Sequence, residues 1–361
     1  MKIFTCQRCG QRIYFENVLC ERCGADLAYL PDRQMVAAVT AAPDGGVAPL
    51  GSTEGGYRRC ANAQYGACNW LIEPGDDHGF CRACRLNRII PDLSVPANVL
   101  RWQRIELAKH RAVHNLLRLG LPVKPKAGDA PEGIAFEFLS DEAAPAPVMT
   151  GHAGGVITLN IVEADDAQRE ARRLAMHEPY RTLLGHFRHE LGHYYWERLI
   201  ENTPRVERYR ALFGDEREDY GQALQRHYDA GPPPDWRERF ISAYASAHPW
   251  EDWAECWAHY MHMVSTLDTA TNLRLAVIGV DAKREIGSDA YRCADFEALL
   301  DTWYPLTEAV NALNRSMGVN DPYPFVVNTP TTEKLAFIHA VIHESRATAA
   351  AAGPGTAAGR G

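Results

Sequence analysis

No segment of this 361-residue sequence approaches the roughly 18 uninterrupted apolar residues that a membrane-spanning helix needs. The opening MKIFTCQRCG also lacks the apolar stretch of a secretory signal, so the expected location is cytoplasmic, with no membrane partner. An excess of basic charge is missing too. The formal net charge is −8, which argues against wholesale coating of nucleic acid. Nor does an aromatic ladder accompany the arginines, as single-strand binding would require. A small basic stripe (Arg82, Arg85, Arg88) and a helix expected over 97–119 (Arg101, Arg104, Lys109, Arg111, Arg118) are therefore read as solvated faces. What remains, 46% hydrophobic and 23% charged, is an ordinary globular composition with room for two or three domains.

Cysteine is present, and its distribution is uneven: of ten, eight precede residue 85. In a chain expected inside the cell, such pairs point to metal rather than to disulfides. Cys6, Cys9, Cys20 and Cys23 form two CxxC pairs, each followed by a glycine, Gly10 and Gly24, where the chain must turn sharply. With a short strand expected over Arg12–Glu16, this resembles a zinc ribbon holding one tetrahedral Zn²⁺. Cys60, Cys68, Cys81 and Cys84 are looser in spacing and are expected to form a second Cys₄ zinc site, with His78 as a possible substitute ligand. The Ala-, Gly- and Pro-rich stretch 36–56 is expected to be a flexible linker between them. Both ions would be structural, since modules this short bury little apolar surface. Such ribbons often contact a protein or nucleic-acid partner. His110 and His114 are expected to be incidental.

The richest stretch is LLGHFRHELGHYYWERLI. His189 and His193 stand four apart, so a helix puts both imidazoles on one face, where they can grip one ion. Glu190 then reaches a water on that ion. This is the HExxH signature, in which the histidines bind zinc and the glutamate is general base. Leu183, Leu184, Phe187, Leu191, Tyr195 and Leu199 recur around it at helical spacing.

A catalytic zinc takes a third protein ligand, and candidates gather in SAYASAHPWEDWAECWAHYMHM. Pro249 opens a helix whose apolar stripe includes Trp250, Trp253, Trp257 and Met261. Glu251 and Glu255 share a face of it, and buried carboxylates need partners. Glu251 is read as the third ligand and Glu255 as the carboxylate orienting a zinc-bound imidazole, with the reverse assignment left open. His248, His259 and His262 are weaker candidates.

HELGH followed by EDWAE resembles the gluzincin metallopeptidases, most closely the anthrax lethal-factor type, whose sites end in an E-x-F-A-E helix. In that group a tyrosine seven residues before the ligand glutamate donates to the oxyanion; Tyr244 occupies that position. Zinc ribbon, HELGH and EDWAE together also resemble a bacterial family of zinc-binding metallopeptidases, over roughly residues 1–345. The large recognition domains of lethal-factor-type enzymes have no counterpart, so their substrate preference does not carry over. The resemblance further implies an edge strand near the site that pairs with extended substrate; Gly155–Ile161 is its candidate, with a plain core strand the alternative.

The expected fold is therefore α+β: a mainly α-helical, zincin-like catalytic domain with a small sheet, preceded by zinc-ribbon modules. The expected divisions are 1–35, 36–56, 57–95, 96–345 and a disordered tail, 346–361. The expected activity is zinc-dependent endopeptidase, with one catalytic and two structural Zn²⁺ and a protein or peptide substrate. Two rivals stand: a nucleic-acid-associated protease resembling the SprT type, and a non-enzymatic zinc-binding adaptor. Asp215, Glu216, Glu218 and Asp219 are read as a solvated turn, and Cys256 and Cys293 as buried structural thiols.

Overall fold

The computed structural model describes residues 2–43, 45–52, 55–126, 132–142, 148–176, 178–277 and 289–351. Among them the fold is α+β, with nine α-helices and four small sheets. The chain divides into two compact units: residues 1–115, 123–187 and 265–276, and residues 116–122, 188–264 and 277–361. Three of these boundaries, 115/116, 187/188 and 264/265, fall inside helices.

In the first unit, β1 (Phe4–Thr5) and β2 (Arg12–Ile13) form a hairpin. Strands β3 (Leu27–Leu30), β4 (Met35–Ala41) and β5 (Val47–Pro49) make an antiparallel sheet. This overturns the flexible linker expected over 36–56. Composition suggested mobility, but Val36, Ala37, Ala38 and Val39 are buried, and Ala37 and Val39 pack with Leu30, Tyr57 and Leu71. Alanine is small enough to let these strands sit in a thin core. Strands β6 (Arg58–Arg59) and β7 (Leu71–Ile72) form a second hairpin.

A four-stranded sheet completes the unit in the order β10 (Gly151–Ala153), β11 (Val156–Asn160), β9 (Ala135–Leu139), β8 (Asn87–Ile89). The candidate substrate-pairing strand is β11, which is hydrogen-bonded on both sides, antiparallel to β10 and parallel to β9. With both backbone edges used it cannot add a strand, and the core-strand alternative holds. Helix α1 (Pro96–Leu119) matches the expected span, but of its five basic residues Arg104 is the one that is exposed, and they do not form a solvated face. Lys109 and Arg118 are buried, Arg101 pairs with Asp165 at 2.7 Å, and Arg111 with Glu16 at 2.6 Å. Helix α2 (Asp166–Ala175) follows β11.

The second unit takes most of its residues from helices: α3 (Leu183–Leu199), α4 (Val206–Phe213), α5 (Tyr220–Ala230), α6 (Trp236–Arg239), α7 (Pro249–Leu273), α8 (Phe296–Ser316) and α9 (Thr329–Ala351). Its core is aromatic. Tyr195 stacks on Trp257 at 5.1 Å, and Trp253 meets Tyr209, Phe213 and Phe337 edge-on. Helix α9 runs to Ala351, past the expected start of the tail at 346; residues 352–361 lie outside the described residues. Among the described residues no helix is long and apolar enough to cross a membrane.

Candidate metal centres

In the first cysteine cluster each CxxC closes a knuckle: the N–H of Gly10 donates to the Cys6 carbonyl and that of Gly24 to the Cys20 carbonyl. Both glycines have positive φ, 74° and 66°, a conformation that side chains resist. The knuckles bring Cys6 Sγ to 3.8 Å from Cys23 Sγ, and Cys9 Sγ to 3.6 Å from Cys20 Sγ. A zinc–sulfur bond of ~2.3 Å implies tetrahedral edges of about 3.8 Å. The four thiols fit that ion.

The second cluster, Cys60, Cys68, Cys81 and Cys84, is buried throughout, with all four sulfurs within 4.8 Å of one another. His78 is exposed and binds through its backbone to Arg58, away from a ligand role. Nor is His110 incidental. Its Nε2 lies 3.3 Å from Cys68 Sγ, and the ring is buried. His114, also buried, meets the Tyr29 hydroxyl at 2.7 Å. Helical spacing made them neighbours of each other; that both face the cysteine modules was not legible, because their partners lie far off in sequence.

The third centre joins α3 and α7. Gly192 makes their approach possible: a Cβ there would lie 2.9 Å from Ala254 Cα and 3.2 Å from Trp257 Cβ. Trp253 locks the crossing by donating its indole N–H to the Gly192 carbonyl at 2.9 Å. On this crossing His189 Nε2 lies 3.2 Å from His193 Nε2 and 3.0 Å from Glu251 Oε2. Glu251 Oε1 lies 3.5 Å from His193 Nε2. Zinc–nitrogen bonds of ~2.0–2.1 Å imply edges of about 3.3 Å, so these donors fit one tetrahedral ion.

Protonation agrees with that fit. Glu255 Oε1 stands 2.8 Å from His189 Nδ1, so Nδ1–H donates to the carboxylate and Nε2 is left facing His193 and Glu251. Ser242 donates to the other Glu255 oxygen at 2.6 Å. Burial works against charge on His189, yet hydrogen bonds to Glu251 and Glu255 hold its pKa well above the ordinary value. Burial likewise works against the Glu251 carboxylate, which the two imidazoles hold well below its ordinary range. Such a pocket is built around positive charge, and a dication suits it.

Glu190 is buried beside these donors, and the Tyr244 ring lies 6.1 Å from that of His189. Burial, then the Glu251 carboxylate, push the Tyr244 phenol well above its ordinary value, so it stays a protonated donor. The weaker ligand candidates are occupied elsewhere: His248 with Glu218 and Trp250, His259 with Tyr323, His262 with Arg188. Tyr220 was missed in the sequence. Its hydroxyl donates to Glu251 Oε1 at 2.6 Å, from the first residue of α5, whose start Asp219 caps. The cap, one of the four acidic residues read as a turn, was the available signal. Cys256 is buried and donates to Asp252, whereas Cys293 is only half-buried.

The family whose description is "Putative zinc-binding metallo-peptidase" matches residues 98–341. The chain belongs to that family. A zinc-ribbon domain family matches residues 3–95. Among relatives of this zinc-binding metallo-peptidase family member are an uncharacterized protein of Mycobacterium bovis and two of Mycobacterium tuberculosis. Each is 42% identical over 346 residues, covering 95% of this chain and 96% of the relative. No solved structure matches the chain.

Proposed function

We propose that the protein is a zinc-dependent endopeptidase whose centre is His189, His193 and Glu251. The observation that carries this reading is the convergence of His189 Nε2, His193 Nε2 and the Glu251 carboxylate, whose Oε2 lies 3.0 Å from His189 and whose Oε1 lies 3.5 Å from His193, with Glu255 holding the far side of His189. Zinc bound by three such ligands supplies Lewis acidity, which acidifies water and polarises a carbonyl. Glu190 takes the proton of the attacking water and returns it to the leaving amine. Tyr244 donates a hydrogen bond where negative charge develops on the carbonyl oxygen. Glu255 and Ser242 keep His189 in the tautomer that presents Nε2, and Tyr220 steadies Glu251. The cysteine clusters would hold two further, structural zinc ions.

The test is zinc per chain together with hydrolysis of a fluorogenic peptide pool. Wild type should carry three zinc ions, one for each of these centres, and a His189→Ala/His193→Ala variant two. Glu190→Gln should keep all three and lose hydrolysis. Two ions in both the wild type and the double variant would overturn the reading in favour of a zinc-binding adaptor.

A further inference from the structure

Helix α1 brings a fifth donor to the second cysteine cluster. His110 Nδ1 lies 2.6 Å from the Glu106 carbonyl oxygen, one turn back. A carbonyl only accepts, so Nδ1 carries a proton and Nε2 points the other way. There it lies 3.3, 3.6 and 4.0 Å from the sulfurs of Cys68, Cys84 and Cys81. The four sulfurs crowd within 4.8 Å of one another. An atom that close to three corners of a tetrahedron cannot lie on the side of the fourth, where it would overlap Cys60. The imidazole therefore faces the Cys68–Cys81–Cys84 triangle from the side opposite Cys60.

We propose that the second cluster holds its metal with three shared thiolates, those of Cys68, Cys81 and Cys84, and two exchangeable apical donors, Cys60 and His110. The triangle would complete a Cys₄ set with Cys60 and a Cys₃His set with His110, and zinc accepts both. The proposal rests on the zinc reading of this cluster. The turn that carries His110 is firmly held: the buried Glu106 carboxylate accepts from Lys109 and Asn87, each at 2.8 Å. A backbone carbonyl behind the imidazole is the partner that a metal-binding histidine ordinarily has. A cleft lined by Phe15, Cys68, Leu107 and His110 opens beside the imidazole. The first cluster differs: among the described residues its metal-ligand candidates are the four cysteines alone.

The two clusters therefore answer the same substitution differently, which full-length protein loaded with zinc, or with cobalt as a spectroscopic probe, can read. Cys60→Ala should keep one ion in the second cluster, with its cobalt–thiolate charge-transfer band reduced to three-sulfur intensity. Adding His110→Ala should abolish that binding. Cys6→Ala should lose the first cluster's ion outright, and His110→Ala alone should keep the wild-type count, which shows that the helix tolerates the change. Loss of metal from Cys60→Ala as complete as from Cys6→Ala would overturn the proposal, as would retention in the Cys60→Ala/His110→Ala double variant. A wild-type count that Cys81→Ala leaves unchanged would instead sink the zinc reading of the cluster itself.

Discussion

The first cysteine cluster and the His–Glu centre gather metal donors in opposite ways. Cys6, Cys9, Cys20 and Cys23 sit on two local knuckles whose glycines and backbone bonds set the turns that carry the sulfurs. His189, His193 and Glu251 come from two helices, and their approach depends on one missing Cβ at Gly192 and one indole bond from Trp253. Around them Glu255, Ser242 and Tyr220 hold the donors in turn. A closed, locally built site suits a metal that holds the fold together. A site assembled from packed helices, with a glutamate and a tyrosine to spare, suits one that reacts.

The sharpest way to break this contrast is Glu190→Gln. If the centre reacts, activity falls by about 10²–10⁴-fold while zinc content stays the same. Zinc lost along with activity would make Glu190 a structural residue and erase the distinction. Next in size is Gly192→Ala. The added methyl meets Ala254 and Trp257, and overpacking of this kind costs ~1–3 kcal/mol. The expected outcome is a lower unfolding midpoint and weaker zinc binding at the His–Glu centre, with the first cysteine cluster still loaded. Equal metal loss at both would show that the two are not independent.

The contrast also governs what could be read in the sequence. The first cluster was legible because its geometry is local: CxxC spacing and the following glycines specify both knuckles. His189, Glu190 and His193 were legible for the same reason, being one helical turn. Glu251 was reached by asking what could partner two carboxylates on one helix face. Tyr220 was not reached, because its contact with Glu251 is fixed by how α5 packs, and no spacing encodes that. His110 and His114 were misread for the same reason, and the stretch 36–56 because alanine and glycine carry little pattern. Buried Lys109 defeated the charge reading: a lysine looks solvated until Glu106 appears beside it.

A smaller effect is expected from Glu255→Gln. An amide in that place still hydrogen-bonds His189 but removes its negative charge, and loss of such an outer partner costs ~10–100-fold in metal affinity. Competition against a graded chelator should show the His–Glu centre releasing zinc first, while the first cysteine cluster, which Glu255 does not touch, keeps its wild-type affinity. Unchanged affinity at the His–Glu centre would mean that its outer residues only pack.

An effect absent at neutral pH and confined to acid concerns a buried carboxylate whose cations are side chains rather than metal. Glu163 is fully buried, with Arg172 at 2.6 Å, Arg181 at 2.7 Å and His186 at 3.5 Å. Burial alone would raise its pKa; His186, Arg181 and Arg172 outweigh that and hold it well below the ordinary range. A depressed folded-state pKa means that the unfolded chain binds the proton first. The stabilisation is therefore fully present above the unfolded value of about 4.3 and is lost as pH falls from there towards the folded pKa, by up to ~1.4 kcal/mol per pH unit. Denaturant unfolding in excess zinc should show no contribution from Glu163 to the pH slope between pH 7 and pH 5. Below about pH 4 the wild type should fall more steeply than Glu163→Gln. Parallel slopes there would show that the arginines do not hold its charge. Glu251 offers the counterpart: also buried and also held ionised, it relies on two imidazoles, which a proton or a metal ion can each claim, whereas two of the cations around Glu163 are permanent. That difference is why one carboxylate can serve a metal and the other serves the fold.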